Sequence, residues 1–163
     1  MSASGEFDIV ALEPADAEGV AALHRQVMGE QDGWSNDGMR RLLAASAARG
    51  LQAKSAGGPE AFVLAFTAAD EAEILALCVS PMHRRRGLAR KLLRRLGEQL
   101  AAGHIGQLHL EVRQSNFAAR ELYSRCGFAE SGRRRGYYRD GSGTGLEDAI
   151  LMISKLSDHH SGA

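Results

Sequence analysis

Three consecutive arginines, Arg84, Arg85 and Arg86, precede Gly87, and Ala89 and Arg90 follow within the next turn of chain. Guanidinium groups beside a glycine turn are the materials of an anion site: they combine fixed positive charge with a backbone that a phosphate can approach closely. A second candidate is Glu111, near the end of the alternating run Gln107 to Val112. A carboxylate at the end of a strand beside such a turn is placed to take a proton, and a solvent-facing strand acid is the other reading of the same residue.

The neighbouring pattern says what must position them. Ile74 to Val79 is apolar on both strand parities and reads as a strand covered on both faces. Ser80-Pro81 ends it, since proline lacks a ladder donor. Beyond Gly87, Leu88, Leu92, Leu93, Leu96 and Leu100 recur at helical spacing, with Arg90, Lys91, Arg94, Arg95 and Glu98 opposite. Strand, glycine turn and helix bring free N–H groups and the positive end of a helix dipole to one point, which suits a phosphate. A basic, solvated helix start in an ordinary α/β domain fits the stretch as well. No G-x-x-x-x-G-K-[ST] and no G-x-G-x-x-G occurs, so neither a P-loop nor a dinucleotide fingerprint is present.

Other chemistry is thinly supplied. Cys78 and Cys126 form no CxxC and no disulfide framework. Cys78, in an apolar strand without a basic partner at recognisable spacing, reads as an inert core thiol. His109 has no His, Cys or acid at zinc-like spacing, so no metal is expected. Twenty basic residues balance twenty acidic ones, which removes a general pull toward nucleic acid or anionic membrane. The length of 163 residues with 44% hydrophobic content suits a single domain, placed at 1–156 with a disordered tail at 157–163. The N-terminal stretch lacks a basic n-region and no window spans a bilayer, so the cytoplasm is the expected compartment.

Taken in order, Phe7 to Leu12 alternates as a strand and Glu13-Pro14-Ala15-Asp16 opens a helix carried by Ala17, Val20, Ala21, Leu23, His24 and Val27. Gly29 and Gly33 break it. Ser35 or Asn36 caps a second helix through Met39, Leu42, Leu43 and Ala47. Strands follow at Gly50 to Ser55 and Ala61 to Thr67, separated by a Gly57-Gly58-Pro59 turn, and Ala69-Asp70 returns the chain into the Ile74 strand. After Glu111 come a helix from Phe117 to Arg125 with Ala118, Ala119, Leu122 and Tyr123 inward, Gly127 at its C′ position, and a last hairpin. Its strands are Glu130 to Tyr138 and Ala149 to Ile153, joined by a flexible Gly141-Ser142-Gly143-Thr144-Gly145 turn.

Arg84-x-x-Gly87-x-Ala89 after an apolar strand resembles the R/Q-x-x-G-x-G/A signature of the GNAT acyltransferases. The run Leu110-Glu111-Val112-Arg113, Ser115-Asn116, Ala118-Ala119, Leu122-Tyr123 and Gly127-Phe128 resembles that family's ribosomal-protein-alanine N-acetyltransferase (RimI-like) subfamily. So does Arg134-Arg135-Gly136-Tyr137-Tyr138 followed by Glu147-Asp148-Ala149, and the likeness covers about 62–156 in order.

The resemblance implies an α/β GNAT fold: a central, mostly antiparallel sheet flanked by helices, with acetyl-CoA at the strand–turn–helix. It implies Glu111 as general base, Tyr123 as general acid, and Asn116 and Tyr123 as coenzyme contacts. Leu77, Cys78 and Val79 would hold the acyl arm through backbone groups, and Arg84, Arg85, Arg86, Gly87, Leu88, Ala89 and Arg90 would wrap the pyrophosphate. Trp34, Tyr137, Tyr138 and Glu111 would border the acceptor, a protein N-terminus such as that of a ribosomal protein. A monomer or weak dimer is expected. Ala89 replaces a second glycine, Gly33 stands where proline is common, and Gly141 to Leu146 makes an unusual loop; the last two lie on the acceptor side. Small amines such as polyamines or aminoglycosides, a protein lysine, and a non-catalytic acyl-CoA- or ribosome-binding module stay open as alternatives.

Overall fold

The computed structural model describes residues 7–157. Seven strands form one sheet in the order β1-β2-β3-β4-β5-β7-β6. They are β1 (Asp8–Ala11), β2 (Ala48–Ser55), β3 (Gly58–Ala68), β4 (Glu71–Val79), β5 (Gln107–Arg113), β6 (Ala129–Arg139) and β7 (Leu146–Lys155). Four α-helices accompany them: α1 (Ala17–Met28), α2 (Asn36–Ala44), α3 (Leu88–Ala102) and α4 (Phe117–Arg125). The pairs β1–β2, β2–β3, β5–β7 and β6–β7 are antiparallel, and β4–β5 is parallel over Glu71–Glu73 against Gln107–His109. This is the mixed sheet flanked by helices that the sequence implies.

The chain divides into two compact units. The first comprises the chain up to Thr67 with Leu75–Leu96, and the second Ala68–Ile74 with the chain from Gly97 on.

In the first unit, the apolar residues of α1 and α2 meet one face of β3 and β4. Val20, Ala21, Leu23, Met39 and Leu43 cluster with Phe62, Leu64, Ala76 and Cys78. Ser35, not Asn36, caps α2, its Oγ accepting the Gly38 N–H at 3.0 Å. That helix ends at Ala44, short of Ala47, and the chain turns into β2. Gly58 and Pro59 belong to β3 rather than to the preceding turn, and the β2–β3 register shifts between Ala53 and Lys54, next to the proline.

The parity of β4 differs from expectation. Ala72, Ile74, Ala76 and Cys78 are buried, but Leu75, Leu77 and Val79 are only half-buried and Glu71 and Glu73 are exposed. An apolar run on both parities does not require equal cover, and here the parity of Ala76 and Cys78 is the more deeply buried.

In the second unit, Leu108, Leu110 and Val112 of β5 are buried, as are Ala149, Ile150 and Met152 of β7. The other parity of β5 carries His109, Glu111 and Arg113, all half-buried. On α4, Tyr123 is buried but Ala118 is exposed, because a nine-residue helix lays only a narrow stripe inward. The Gly141 to Gly145 segment is not a slack turn. The Asp140 carboxylate accepts the N–H groups of Ser142 at 3.0 Å and Gly145 at 3.2 Å, tying the loop on itself. The expected tail at 157–163 lies, but for Ser157, outside the described residues.

Candidate functional site

In the first unit, the arginine turn is built from the end of β4 onward. Ser80 N–H donates to the Glu60 carbonyl at 2.7 Å, a single 3-10 turn covers Pro81–His83, and α3 begins at Leu88. Between them Arg85 has φ 61° and Gly87 φ 75°, both left-handed. Left-handed residues alternating with ordinary ones turn successive N–H groups toward a common concavity. For Gly87 that conformation is inexpensive; for Arg85 it stores strain, which is the usual mark of a functional turn. Sequence offers no signal for the second case.

Arg84, Arg85, Arg86 and Arg90 are all exposed. Arg84 Nε donates to the Val79 carbonyl at 3.4 Å, and Arg86 Nη1 lies 3.5 Å from His83 Nδ1. His83 Nε2 is in turn 3.3 Å from Glu60, whose other oxygen accepts the Ser55 hydroxyl at 2.8 Å. A Cβ built at Gly87 would meet nothing within 4 Å, so the turn is open on that side. Exposed guanidinium groups, a helix N-terminus and an open glycine fit a pyrophosphate.

Cys78, beside this turn, is 2% exposed. Burial pushes its thiol up to about 12 although Arg84 pulls the other way, so it supplies no thiolate.

Trp34 is half-buried and anchored. Its N–H donates to His24 Nδ1 at 3.1 Å, and its carbonyl accepts from Arg25 at 3.0 Å. Beside it an open cavity of about 540 Å³ is bounded by Trp34, Gly38, Arg41, Leu42, Ala45 and Phe66.

In the second unit, strand register creates a charged cluster. Glu111 pairs with Leu151 of β7, and Arg134 of β6 pairs with Ala149. Across that diagonal Arg134 Nε lies 2.9 Å from Glu111 Oε1. Immediately after Arg134 the β6 register slips, so that Arg135, Gly136 and Tyr137 bulge out opposite Asp148. The Asp148 carboxylate accepts the Gly136 N–H at 2.9 Å, and Gly136 takes φ 59°. The bulge sets the two tyrosines edge to face at 5.0 Å. It also leaves Arg113 over the Tyr138 ring at 4.4 Å and Arg134 over the Tyr137 ring at 5.5 Å.

Burial raises the Tyr138 phenol above its ordinary value, and the Glu111 charge adds to that. Glu147 is held below the usual carboxylate range by the Ser115 and Arg113 donors. The Ser115 backbone N–H also donates to it at 3.1 Å, and Arg113 Nη1 lies at 3.0 Å.

Asn116 caps α4, its Oδ1 accepting the Ala119 N–H at 3.2 Å. Tyr123 is 8% exposed and meets Phe128 edge to face at 5.6 Å. Of the residues singled out from sequence, Glu111 and Tyr138 therefore share one charged neighbourhood, with Tyr137 on its margin, and Trp34 packs half-buried against the first unit's core. Arg134, Arg113 and Glu147 were missed as site neighbours, because their positions depend on three-strand register. Among the described residues there is no group of three or more potential metal ligands and no helix long and apolar enough to cross a membrane.

The chain is also similar to known proteins. The [ribosomal protein bS18]-alanine N-acetyltransferase of Escherichia coli K12 is 38% identical over 123 residues, 76% of this chain and 77% of that protein. The N-alpha-acetyltransferase RimI of Mycobacterium tuberculosis is 37% identical over 135 residues, 80% of this chain and 84% of that one. The crystal structure of the ribosomal-protein-S18-alanine N-acetyltransferase from Escherichia coli superposes with a TM-score of 0.84 at 30% identity, covering 97% of this chain and 99% of that chain. Residues 20–128, which include the arginine turn, Glu111, Asn116 and Tyr123, match the acetyltransferase (GNAT) family, and the chain belongs to it.

Proposed function

We propose that this protein transfers the acetyl group of acetyl-CoA to the free α-amine of a protein N-terminus, with the N-terminal alanine of a ribosomal protein as the preferred acceptor. The observation that carries the reading is Glu111: a carboxylate only 19% exposed, at the end of a strand, engaged by a single arginine from across the sheet. The Escherichia coli relative, named as a ribosomal protein bS18-alanine N-acetyltransferase, and the Mycobacterium tuberculosis relative, named as an N-alpha-acetyltransferase, are each alike over about three quarters of the chain or more and support the acceptor class.

The amine decides how much a base must do. A free α-amino group has a pKa of roughly 7.7–8.0, so about a tenth is already neutral at pH 7, whereas lysine at roughly 10.4 is neutral about once in a few thousand. A lone carboxylate suffices for the first and is poorly matched to the second. A polyamine would call for several unengaged acids, yet Asp37 is paired with Arg40, Glu147 with Arg113, and Asp148 with the Gly136 N–H.

Bound acetyl-CoA supplies an activated thioester. The N–H and guanidinium groups of 84–90 hold its pyrophosphate, backbone groups of Leu77, Cys78 and Val79 its acyl arm, and Asn116 Nδ2 remains for a further polar contact. Glu111 takes a proton from the acceptor ammonium, directly or through a water. Tyr123 supplies a proton to the departing thiolate, since a phenol of pKa about 10 can protonate a thiolate whose acid is near 8.5. Cys78 is 2% exposed and burial pushes its thiol up to about 12, which favours direct transfer over an acyl-enzyme at that residue.

The test is release of free thiol from acetyl-CoA with an Ala-starting peptide, the same peptide blocked at its α-amine, a lysine-bearing blocked peptide, and spermidine. Turnover confined to the open peptide is expected. Turnover on spermidine or on the lysine peptide alone would overturn the acceptor assignment.

A further inference from the structure

We infer that Arg134 is a placeholder for the acceptor's ammonium group, occupying the Glu111 carboxylate when no acceptor is bound and yielding it to the incoming amine. The inference rests on the reading of Glu111 as the base.

The two partners are unequally held. Glu111 is 19% exposed on β5, whereas the Arg134 side chain is 57% exposed. An ion pair with one solvated member is weak, so the arginine leaves at small cost. Its backbone does not move with it, because Arg134 is in register with Ala149 and the bulge beyond is pinned by Asp148 on the Gly136 N–H. Only the side chain has to swing.

It has somewhere to go. The guanidinium already lies 5.5 Å from the Tyr137 ring, which is 54% exposed, and a cation over an aromatic face keeps part of its stabilisation. The neighbouring acids offer no competing berth. Glu147 is engaged by Arg113 and Ser115, and Asp148 by Gly136 N–H with Arg133 at 3.9 Å. For the same reason an arriving ammonium finds Glu111 as its carboxylate partner rather than either of these.

The exchange changes chemistry without changing charge. Guanidinium and ammonium both carry one positive charge, so Glu111 is never left unpaired in a half-buried site. A guanidinium cannot give up its proton in a protein, but an α-ammonium can. Replacing one by the other turns an idle ion pair into a proton-transfer pair: an N–H bond of the amine breaks, an O–H bond forms on Glu111, and the lone pair on nitrogen is released for attack. When that proton passes to water, the carboxylate regains its charge and Arg134 returns. An acceptor with a blocked, uncharged N-terminus cannot displace the arginine, which adds selection for free amines.

Steady-state kinetics at saturating acetyl-CoA with an Ala-starting peptide test this, using Arg134→Met, Arg134→Lys, Glu111→Gln and the double variant Glu111→Gln/Arg134→Met. Arg134→Met should lower the peptide KM by roughly two- to fivefold, the worth of a partly exposed ion pair, with kcat changed by less. Arg134→Lys, which keeps the charge, should stay nearer the parent KM. The KM gain should vanish when Glu111→Gln is already present. A KM that rises in Arg134→Met would make Arg134 an acceptor contact, and an unchanged KM would make the pair incidental; either overturns the inference. Full kcat in Glu111→Gln would instead remove the base assignment on which it rests.

Discussion

The indole of Trp34 lies flat on the imidazole of His24, ring centroids 4.2 Å apart and planes 12° from parallel. His24 Nδ1 accepts the backbone N–H of Trp34, so the neutral ring carries its proton on Nε2. Burial lowers the His24 pKa below 6.5, and the Arg25 charge lowers it further. Protonation would place a second donor against the Trp34 N–H.

A histidine depressed in the folded state makes stability fall on the acid side, because the unfolded chain binds the extra proton first. Stability from this source is whole above the unfolded value of about 6.5 and declines as pH drops below it. The thermal midpoint, followed from pH 8 to pH 5, should therefore fall more steeply for the parent than for His24→Phe. Parallel curves for the two proteins would show that His24 does not contribute to acid sensitivity.

Gly33 is needed by the same loop for a steric reason. A Cβ there would come within 2.7 Å of the Arg25 Cα and 2.9 Å of the Gly29 carbonyl oxygen. Gly33→Ala should cost about 1–3 kcal/mol, the usual penalty of forced overpacking. Chemical denaturation would read it, and a cost below half of that range would mean the loop relaxes freely.

Glu111→Gln and Tyr123→Phe should each reduce kcat by roughly 10²–10⁴-fold on an Ala-starting peptide, the range of a lost general base or acid. Binding of acetyl-CoA, measured by calorimetry, should persist in both. For the Glu111 variant, raising pH toward the acceptor's own pKa should recover part of the rate. A loss that is flat with pH would point to positioning instead of proton transfer.

Gly87→Val tests the arginine turn. A β-branched residue at φ 75° is strained by roughly 1–3 kcal/mol and narrows the open side of the turn. Affinity for CoA should fall about tenfold or more, well beyond any change in the thermal midpoint. Undiminished CoA affinity in a folded Gly87→Val protein would relocate the pyrophosphate.

Much of this was legible in sequence because periodicity survives folding. The Leu88 to Leu100 stripe, the β5 alternation and the Phe117 to Arg125 helix all appear where spacing puts them. Cover on a given parity is less readable: Leu75, Leu77 and Val79 have the composition of a buried face without being one. The Arg134–Glu111 pair needs the registers of β5, β7 and β6 together, and a three-residue bulge lies next to it. Nothing local encodes that. The Asp140 loop is a different miss, since Asp followed by Ser two residues on is a recognisable side-chain turn that the glycines obscured.

Asn116 carries one more consequence. Because its Oδ1 is committed to the Ala119 amide, the direction of its Nδ2 is set before any ligand arrives. A side chain already immobilised loses no further rotamer freedom on binding, which spares about 0.5–1.5 kcal/mol of ordering entropy. On the proposed coenzyme contact at Asn116, the cap of α4 serves as preorganisation, and hydrogen exchange at Ala119 should slow when CoA is added.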